Sequence, residues 1–284
     1  MTDKIVALID GSEYSEKVCR QAAWMAMRTG AAVELIHVLG RREAPEKSDL
    51  SGSIRLGARS ALLEELAELD AQRARLVGHR GRAILEDARA IVDAAGVNEI
   101  TTRLRHGDIV ESIEEVERDA RAIVVGKRGE AADYAKGHLG SNLERIVRAA
   151  HRPVLVASRV FAPVEKVLVA YDGRSSAMKV VDHIARDPLF AGLSVEVVTV
   201  GSDSAEAQKG LADAKAMLEA AGIEARTRVV PGQPEEELGR LVEEEGFGMV
   251  VMGAYGHSRI RSLIIGSTTS EMVRACRVPV LLIR

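Results

Sequence analysis

The sequence is poor in aromatic residues and carries no excess of positive charge. Phe, Trp and Tyr make up 3% of its 284 residues, too few for the stacking platforms of single-strand nucleic-acid binders. The formal net charge is −3, so no general attraction to nucleic acid is expected. No apolar run approaches the ~18 residues that a membrane span needs. We therefore expect neither a nucleic-acid-binding protein nor a membrane protein.

Cysteine is almost absent as well. Cys19 and Cys276 form no CxxC pair and suggest no disulfide framework. Each lies on the apolar face of a predicted helix, where a small core residue is expected rather than a nucleophile. The first residues, "MTDKIVALIDGS", do not have the layout of a signal peptide. These features together predict a cytoplasmic protein.

The chain does contain an internal repeat. "KIVALIDGSEYSEKV" at Lys4 resembles "KVLVAYDGRSSAMKV" at Lys166, and the two copies are offset by 162 residues. Further along, Gly107 corresponds to Gly232 and the offset falls to 125, so the first copy carries an insertion of 37 residues. The sequence therefore predicts two tandem domains, 1–158 with the insertion at about 39–81, and 164–284.

Short Val, Ile and Leu runs without polar alternation indicate parallel strands that are buried on both faces. Amphipathic helices are predicted between these runs, for example at 15–28, 109–119 and 204–222. Alternating strands and helices predict an α/β fold with two doubly wound, parallel, five-stranded sheets. The strands predicted in the first half are 5–9, 33–38, 101–104, 122–125 and 154–157.

The second part of the insertion reads as a long amphipathic helix with leucines at Leu62, Leu66, Leu69 and Leu76. Two interpretations stay open for this helix. It could pack on its own domain, or it could act as a lid or as a contact for another subunit.

A glycine-rich loop follows the predicted strand that ends at Gly253, and hydroxyl residues close the loop. Ser267 or Thr268 is the expected N-cap of the next helix, with Glu271 completing a capping box. Glycines let backbone N–H groups approach a ligand, and a helix N-terminus adds positive dipole. The arrangement favours a phosphate, with Arg259 and Arg261 as sources of charge.

A plain turn and an ordinary helix cap would explain the same residues. The loop lacks the spacing of a P-loop and of a dinucleotide-binding GxGxxG motif. Its recurrence in the first half, as "GKRGEAADYAKGHLGSN", strengthens the phosphate interpretation.

The pattern as a whole resembles the universal stress protein family over nearly the whole chain. The second copy matches the nucleotide-binding signature of that family, with two residues and then nine between its glycines: Gly253, Gly256, Gly266 and Ser267. The first copy has ten residues in the longer gap: Gly126, Gly129, Gly140 and Ser141. The aspartate after the first strand of each copy also matches, at Asp10 and Asp172.

The resemblance implies that ATP or another adenine nucleotide lies across the carboxyl edge of each sheet. In the second half it implies contacts from Asp172, the backbone of Val200, Gly253, Gly256, Gly266, Ser267 and Thr268. In the first half it implies contacts from Asp10, Val38, Gly126, Gly129, Gly140, Ser141 and Asn142. An accompanying Mg²⁺ stays open, although we expect no protein metal site. A simple N-cap role remains the alternative for Asp10 and Asp172.

The first loop differs from the second by one residue and by Gly137, Lys127, Lys136 and His138. Because the second half matches the family better, we expect it to hold the tighter site.

The resemblance also implies that the last strands, "RPVLVAS" and "VPVLLIR", pair within one chain, since exposed apolar strand edges need a partner. A homodimer of whole chains and a regulatory protein partner stay open. The expected function is a stress-response sensor or regulator rather than an enzyme, because no catalytic set is apparent. A slow ATPase and an interaction module without nucleotide are the alternatives.

Overall fold

The structure is a computed structural model that describes residues 3–40, 58–127, 140–254 and 266–284. The first half of the molecule, defined here as β1 to β5, contains β1 (Lys4–Leu8), α1 (Ser15–Thr29), β2 (Ala32–Leu39), α2 (Ala58–Ala94), β3 (Ile100–His106), α3 (Ile109–Val116), β4 (Ala120–Gly126), α4 (Ser141–Ala149) and β5 (Val154–Ala157). The second half contains β6 (Lys166–Ala170), α5 (Ser175–Arg186), β7 (Ser194–Val200), α6 (Ala205–Ala220), β8 (Ala225–Val230), α7 (Pro234–Glu245), β9 (Met249–Gly253), α8 (Ser267–Ala275) and β10 (Val280–Ile283). Short 3₁₀ helices lie at Glu117–Asp119 and Pro188–Phe190.

The strands form one ten-stranded sheet in the order β3-β2-β1-β4-β5-β10-β9-β6-β7-β8. Pairing is parallel within each half, and the halves join where β5 and β10 run antiparallel, with Leu155 opposite Leu281. The predicted α/β fold with two five-stranded parallel sheets is confirmed. The predicted pairing of the last strands is confirmed too, and it joins the two sheets edge to edge.

Burial on both faces explains why the central strands contain few polar residues, whereas the edge strands β3 and β8 are more polar and more exposed. One core lies under α1, α5, α6 and the end of α2, and the other lies under α3, α4, α7 and α8. Successive side chains of the central strands enter the two cores in turn, as Ile5 and Val6 do in β1. Each fully buried side chain of this size stabilises the fold by roughly 1.5–3 kcal/mol.

The predicted elements agree closely with the structure. The strands of the first half lie within about two residues of their expected limits, and α1 ends one residue later than predicted. In the second half α6 ends at Ala220, and Gly222 follows with a φ of +77°. Such a left-handed residue after a helix is the usual role of glycine.

The long helix of the insertion is confirmed as α2, and its last part packs on its own domain. Leu85, Ala88 and Val92 are buried there against α1, β2 and β3. The first part of the helix, between residues 62 and 77, is mostly exposed.

Both cysteines are buried in the core, as predicted. Burial raises the pKa of the Cys19 thiol to about 12 and also raises the pKa of Cys276. Neither thiol is therefore ionised near neutral pH. Among the described helices, none combines the length and the apolar composition that crossing a bilayer requires.

Candidate functional site

The register of the first half places the predicted residues at one edge of the sheet. Leu8 lies opposite Ile36 in the parallel pair of β1 and β2. Asp10 and Val38 each come two residues later, so they lie side by side at the carboxyl ends of these strands. Gly126 ends β4 on the other side of β1. The order of the strands reverses between β1 and β4, and a ligand crevice is expected at such a switch point.

The second half repeats this geometry. Ala170 lies opposite Val198, which places Asp172 and Val200 side by side at the carboxyl edge. Gly253 ends β9, which pairs with β6 on its other side. The carboxylate of Asp172, the end of β7 at Val200 and Gly253, at which the predicted loop begins, therefore lie at the same edge of the sheet.

The two aspartates order their own loops and are not helix caps. The backbone N–H of Ser12 donates to Asp10 Oδ1 at 3.0 Å, and the hydroxyl of Ser15 donates to the same atom at 3.1 Å. The backbone N–H of Arg174 donates to Asp172 Oδ1 at 3.1 Å. The N-cap residues of α1 and α5 are Tyr14 and Arg174, so the alternative N-cap interpretation is wrong. Each aspartate instead forms an Asx turn, in which its side chain accepts from the backbone N–H two residues further along.

Asp172 has room for a further partner. Its side chain is 47% exposed, and its Oδ2 lies 3.1 Å from Arg174 Nη1. An exposed ion pair of this kind contributes little and is easily rearranged. Tyr171, directly before it, is buried, and burial together with the charges of Asp213 and Asp172 raises the pKa of its phenol.

The helices that follow the two loops begin in the same way. Gly140 is the N-cap of α4 and Gly266 is the N-cap of α8, and neither cap has a side-chain hydrogen bond. The predicted capping box at Thr268 is therefore wrong, because the helix already begins at Ser267 and Glu271 pairs with Arg274. First-turn N–H groups without a side-chain cap are donors that suit an anion.

Sequence reasoning missed what holds α8 in place. The hydroxyl of Thr269, which is buried, donates to the carbonyl oxygen of Gly253 at 3.2 Å. This bond ties the first turn of the helix to the end of β9. Of the other predicted residues here, Ser267 is exposed and Thr268 is partly buried, while Asn142 is exposed at the start of α4.

Several predicted residues lie outside the described part of the chain. These are Gly129 and Gly256 together with Lys136, Gly137, His138, Arg259 and Arg261. The side chain of Ser141 is not described either. Lys127 is described, and its ammonium group donates to the carbonyl oxygen of Cys276 in the second half at 3.2 Å.

Helix α2 covers the loop after β1 in the first half. A Cβ on Gly11 would lie 2.7 Å from Cδ1 of Ile84, whereas a Cβ on Gly173, the equivalent glycine, would meet nothing within 4 Å. His37, which is buried beside Val38, has its Nδ1 2.6 Å from the carbonyl oxygen of Ile9. The first edge is thus closely packed at a point where the second is open.

Two cavities can be compared with the positions of the predicted site residues. One of about 200 Å³ lies at the carboxyl end of β2, between that strand and α2, and Arg73 and Arg80 line it. A second of about 390 Å³ lies where the halves meet, and none of the predicted site residues lines it. The described residues contain no group of three side chains able to hold a metal ion.

An α/β sheet with uncapped helix starts at its switch points is a fold class that many ligand-binding proteins share. Comparison with known proteins narrows the class. The sequence model described as "Universal stress protein family" matches residues 1–158 and again residues 163–284. The chain is 36% identical over 284 residues to Universal stress protein Slr1230 of Synechocystis sp., covering 99% of each chain. The chain belongs to the universal stress protein family.

Other relatives agree with this assignment. Universal stress protein Rv2005c of Mycobacterium tuberculosis is 25% identical over 228 residues, which cover 72% of this chain and 77% of the relative. The crystal structure of a universal stress protein from Archaeoglobus fulgidus matches with a TM-score of 0.73 at 21% identity, covering 100% of this chain and 99% of that chain. At that identity the structural match supports the fold alone.

Proposed function

We propose that this chain binds an adenine nucleotide, ATP or one of its products, and acts in the cytoplasm as a sensor or regulator in a stress response. The proposal includes two domains, 1–158 and 164–284, and places the stronger site in the second. The observation that carries it is the uncapped start of α8, which adjoins the end of β9 at the same sheet edge as the exposed Asp172.

The roles of the residues follow from their chemistry. Backbone N–H groups of Ser267 and Thr268 would donate to phosphate oxygens, and the dipole of α8 would favour the negative charge. Asp172 would accept from ribose hydroxyls, and the backbone of Val200 would face the base. In the first half Asp10, Val38, Gly126, Gly140 and Asn142 would act correspondingly, together with Gly129 and Ser141.

We assign no catalytic residue. Hydrolysis of ATP would need a base or a carboxylate that holds a metal beside the phosphates. Any Mg²⁺ would arrive with the triphosphate and be held mainly by its oxygens and by water.

The first experiment is to denature freshly purified protein and quantify the released small molecules by mass spectrometry. We expect an adenine nucleotide in the wild-type chain, lost in Gly266→Arg and retained in the matched variant Gly140→Arg. The long side chain would occupy the anion position, and both glycines have negative φ, so the backbone accepts arginine at either place. Circular dichroism of both variants would verify that they fold.

A protein purified without nucleotide would be titrated with ATP, ADP and AMP by calorimetry. No binding at about 1 mM nucleotide, corresponding to a binding free energy weaker than roughly −4 kcal/mol, would overturn the proposal. The interaction module without nucleotide would then be the better hypothesis. Equal loss in the two variants would instead contradict the assignment of the stronger site to the second half.

A further inference from the structure

The first part of α2 extends away from the packed region of its own domain. The helix has 37 residues, and its contacts with the core are made by its last part, where Leu85, Ala88 and Val92 are buried. The residues between 62 and 77 are mostly exposed. At 1.5 Å per residue, this part of the helix is roughly 24 Å long.

One face of this part carries large apolar side chains that face solvent. Leu62 is 40% exposed, Leu69 is 54% exposed and Leu76 is 70% exposed, while Leu66 is partly buried. With Arg73 these residues follow alternating spacings of four and three, the repeat of a two-helix coiled coil. We call these five residues the seam: Leu62, Leu66, Leu69, Arg73 and Leu76.

Charge is divided along the same part of the helix. The acidic residues precede Ala71 and the basic residues follow it. Neither the four acids nor Arg73 and Arg75 form an ion pair with any part of the chain that the structure describes. The acids of this part are Glu64, Glu65, Glu68 and Asp70, and its bases are Arg73 and Arg75; Arg80 and Arg82 follow further along the helix.

We propose that the seam pairs with the seam of a second copy of this chain, with the two helices antiparallel about a two-fold axis near Ala71. In this arrangement the acidic segment of each helix lies beside the basic segment of the other. Leu66 lies opposite Leu76 of the other copy, and Leu69 lies against the aliphatic stem of Arg73. Parallel pairing would place acid beside acid and Arg73 beside Arg73, which costs free energy.

A second copy fits better than an unrelated partner because the charge pattern complements itself. A two-fold axis needs one surface that matches its own rotated image, and this helix face has that property. The strand edges of β5 and β10 are already paired with each other inside the chain. An association between chains must therefore use another surface, and the seam is an exposed apolar one.

The oligomeric state tests the proposal directly. Sedimentation velocity over a concentration series should show that the wild-type chain is a dimer that dissociates on dilution. The double variant Leu66→Glu/Leu76→Glu should weaken the dimer at least a hundredfold, because positions 66 and 76 lie opposite each other and the four carboxylates would form two like-charged pairs. Val160→Glu changes an exposed apolar residue elsewhere, 71% exposed, and should leave the dimer unchanged. A wild-type chain that is monomeric at every concentration would overturn the proposal.

Engineered disulfides test the orientation of the helices. A chain with Leu66→Cys mixed with a chain with Leu76→Cys should cross-link under mild oxidation, while each chain alone should not. The native cysteines are 0% and 7% exposed and should not interfere. Cross-linking of either single variant with itself would show parallel helices and would refute the two-fold arrangement. These experiments need no nucleotide, so their outcome is independent of the function proposed above.

Discussion

The two halves of the molecule share a framework and differ in what covers the sheet edge that carries the candidate site. Their strands pair in the same order, and both have an aspartate turn and a glycine N-cap at this edge. In the first half Ile84 of α2 reaches the loop that contains Gly11, whereas the loop around Gly173 is open. The comparison indicates that a lengthened helix can alter access to a site without changing the sheet beneath it.

A buried acid occurs at corresponding positions in both halves. Glu34 contacts Lys4 at 2.6 Å and Arg103 at 3.0 Å. The corresponding residues of the second half repeat the cluster, with Arg228 2.7 Å and Lys166 3.7 Å from Glu196. The second half adds a fourth member, because Glu245 also contacts Lys166 and Arg228. Each half of the duplicated chain thus contains an ion cluster around one buried glutamate of its second strand.

The largest effect that separates the halves should come from removing these acids. We expect Glu34→Gln to lower the free energy of unfolding by about 2–3 kcal/mol, somewhat less than for a fully buried pair, because Arg103 is half exposed. Glu196→Gln should cost about 1 kcal/mol, because Glu245 still neutralises both cations. Urea unfolding at pH 7 measures both values. Equal losses would mean that Glu245 does not compensate.

An intermediate effect should come from the two glycines of the aspartate turns. Gly11 and Gly173 have φ values of +78° and +76°, so alanine costs roughly 1 kcal/mol at either position from backbone strain. Gly11→Ala should cost about 1 kcal/mol more, because its Cβ would lie 2.7 Å from Ile84. Urea unfolding of both variants tests this difference.

The double variant Gly11→Ala/Ile84→Ala serves as the control for this contact. Truncating Ile84 should remove the additional cost of Gly11→Ala, which a double-mutant cycle would detect as a coupling energy. If Gly173→Ala is as destabilising as Gly11→Ala, the closer packing of the first half has no energetic consequence.

Much of the fold could be predicted because the signals are local and occur twice. Apolar runs such as 5–9 and 33–38 indicate buried parallel strands, and the repeat shows where the second copy begins. The β5–β10 pairing follows from the physical need of apolar strand edges for a partner. The candidate aspartates could be located because each follows the first strand of its half, and the carboxyl ends of parallel strands lie on the same side of the sheet.

Other features depend on packing that no short segment encodes. The N-cap of α8 is Gly266 rather than Thr268, because the incoming chain determines where the helix begins. The approach of Ile84 to Gly11 depends on how α2 lies across the sheet. The ion cluster did have a sequence signal, because "VELIHV" and "VEVVTV" both place a glutamate inside a buried strand at corresponding positions. A charge repeated in this way indicates a paired acid.

The smallest predicted difference is in how stability depends on pH. The second half has His183 where the first half has Gln21. Burial lowers the pKa of His183, and the charge of Arg121 lowers it further, although Asp187 and Asp182 oppose the shift. As the pH falls through about 6.5, the unfolded chain takes up a proton that the folded histidine resists, so the wild-type protein loses stability. His183→Gln should be less sensitive, by about 1 kcal/mol at most between pH 7.5 and 5.5.

Urea unfolding at the two pH values measures this difference in stability, with the exposed His106→Gln as control. Parallel losses in the wild type and His183→Gln would show that His183 does not cause the acid sensitivity. A smaller loss only in His183→Gln would show that the second half carries a partly buried titratable residue where the first half has a neutral amide.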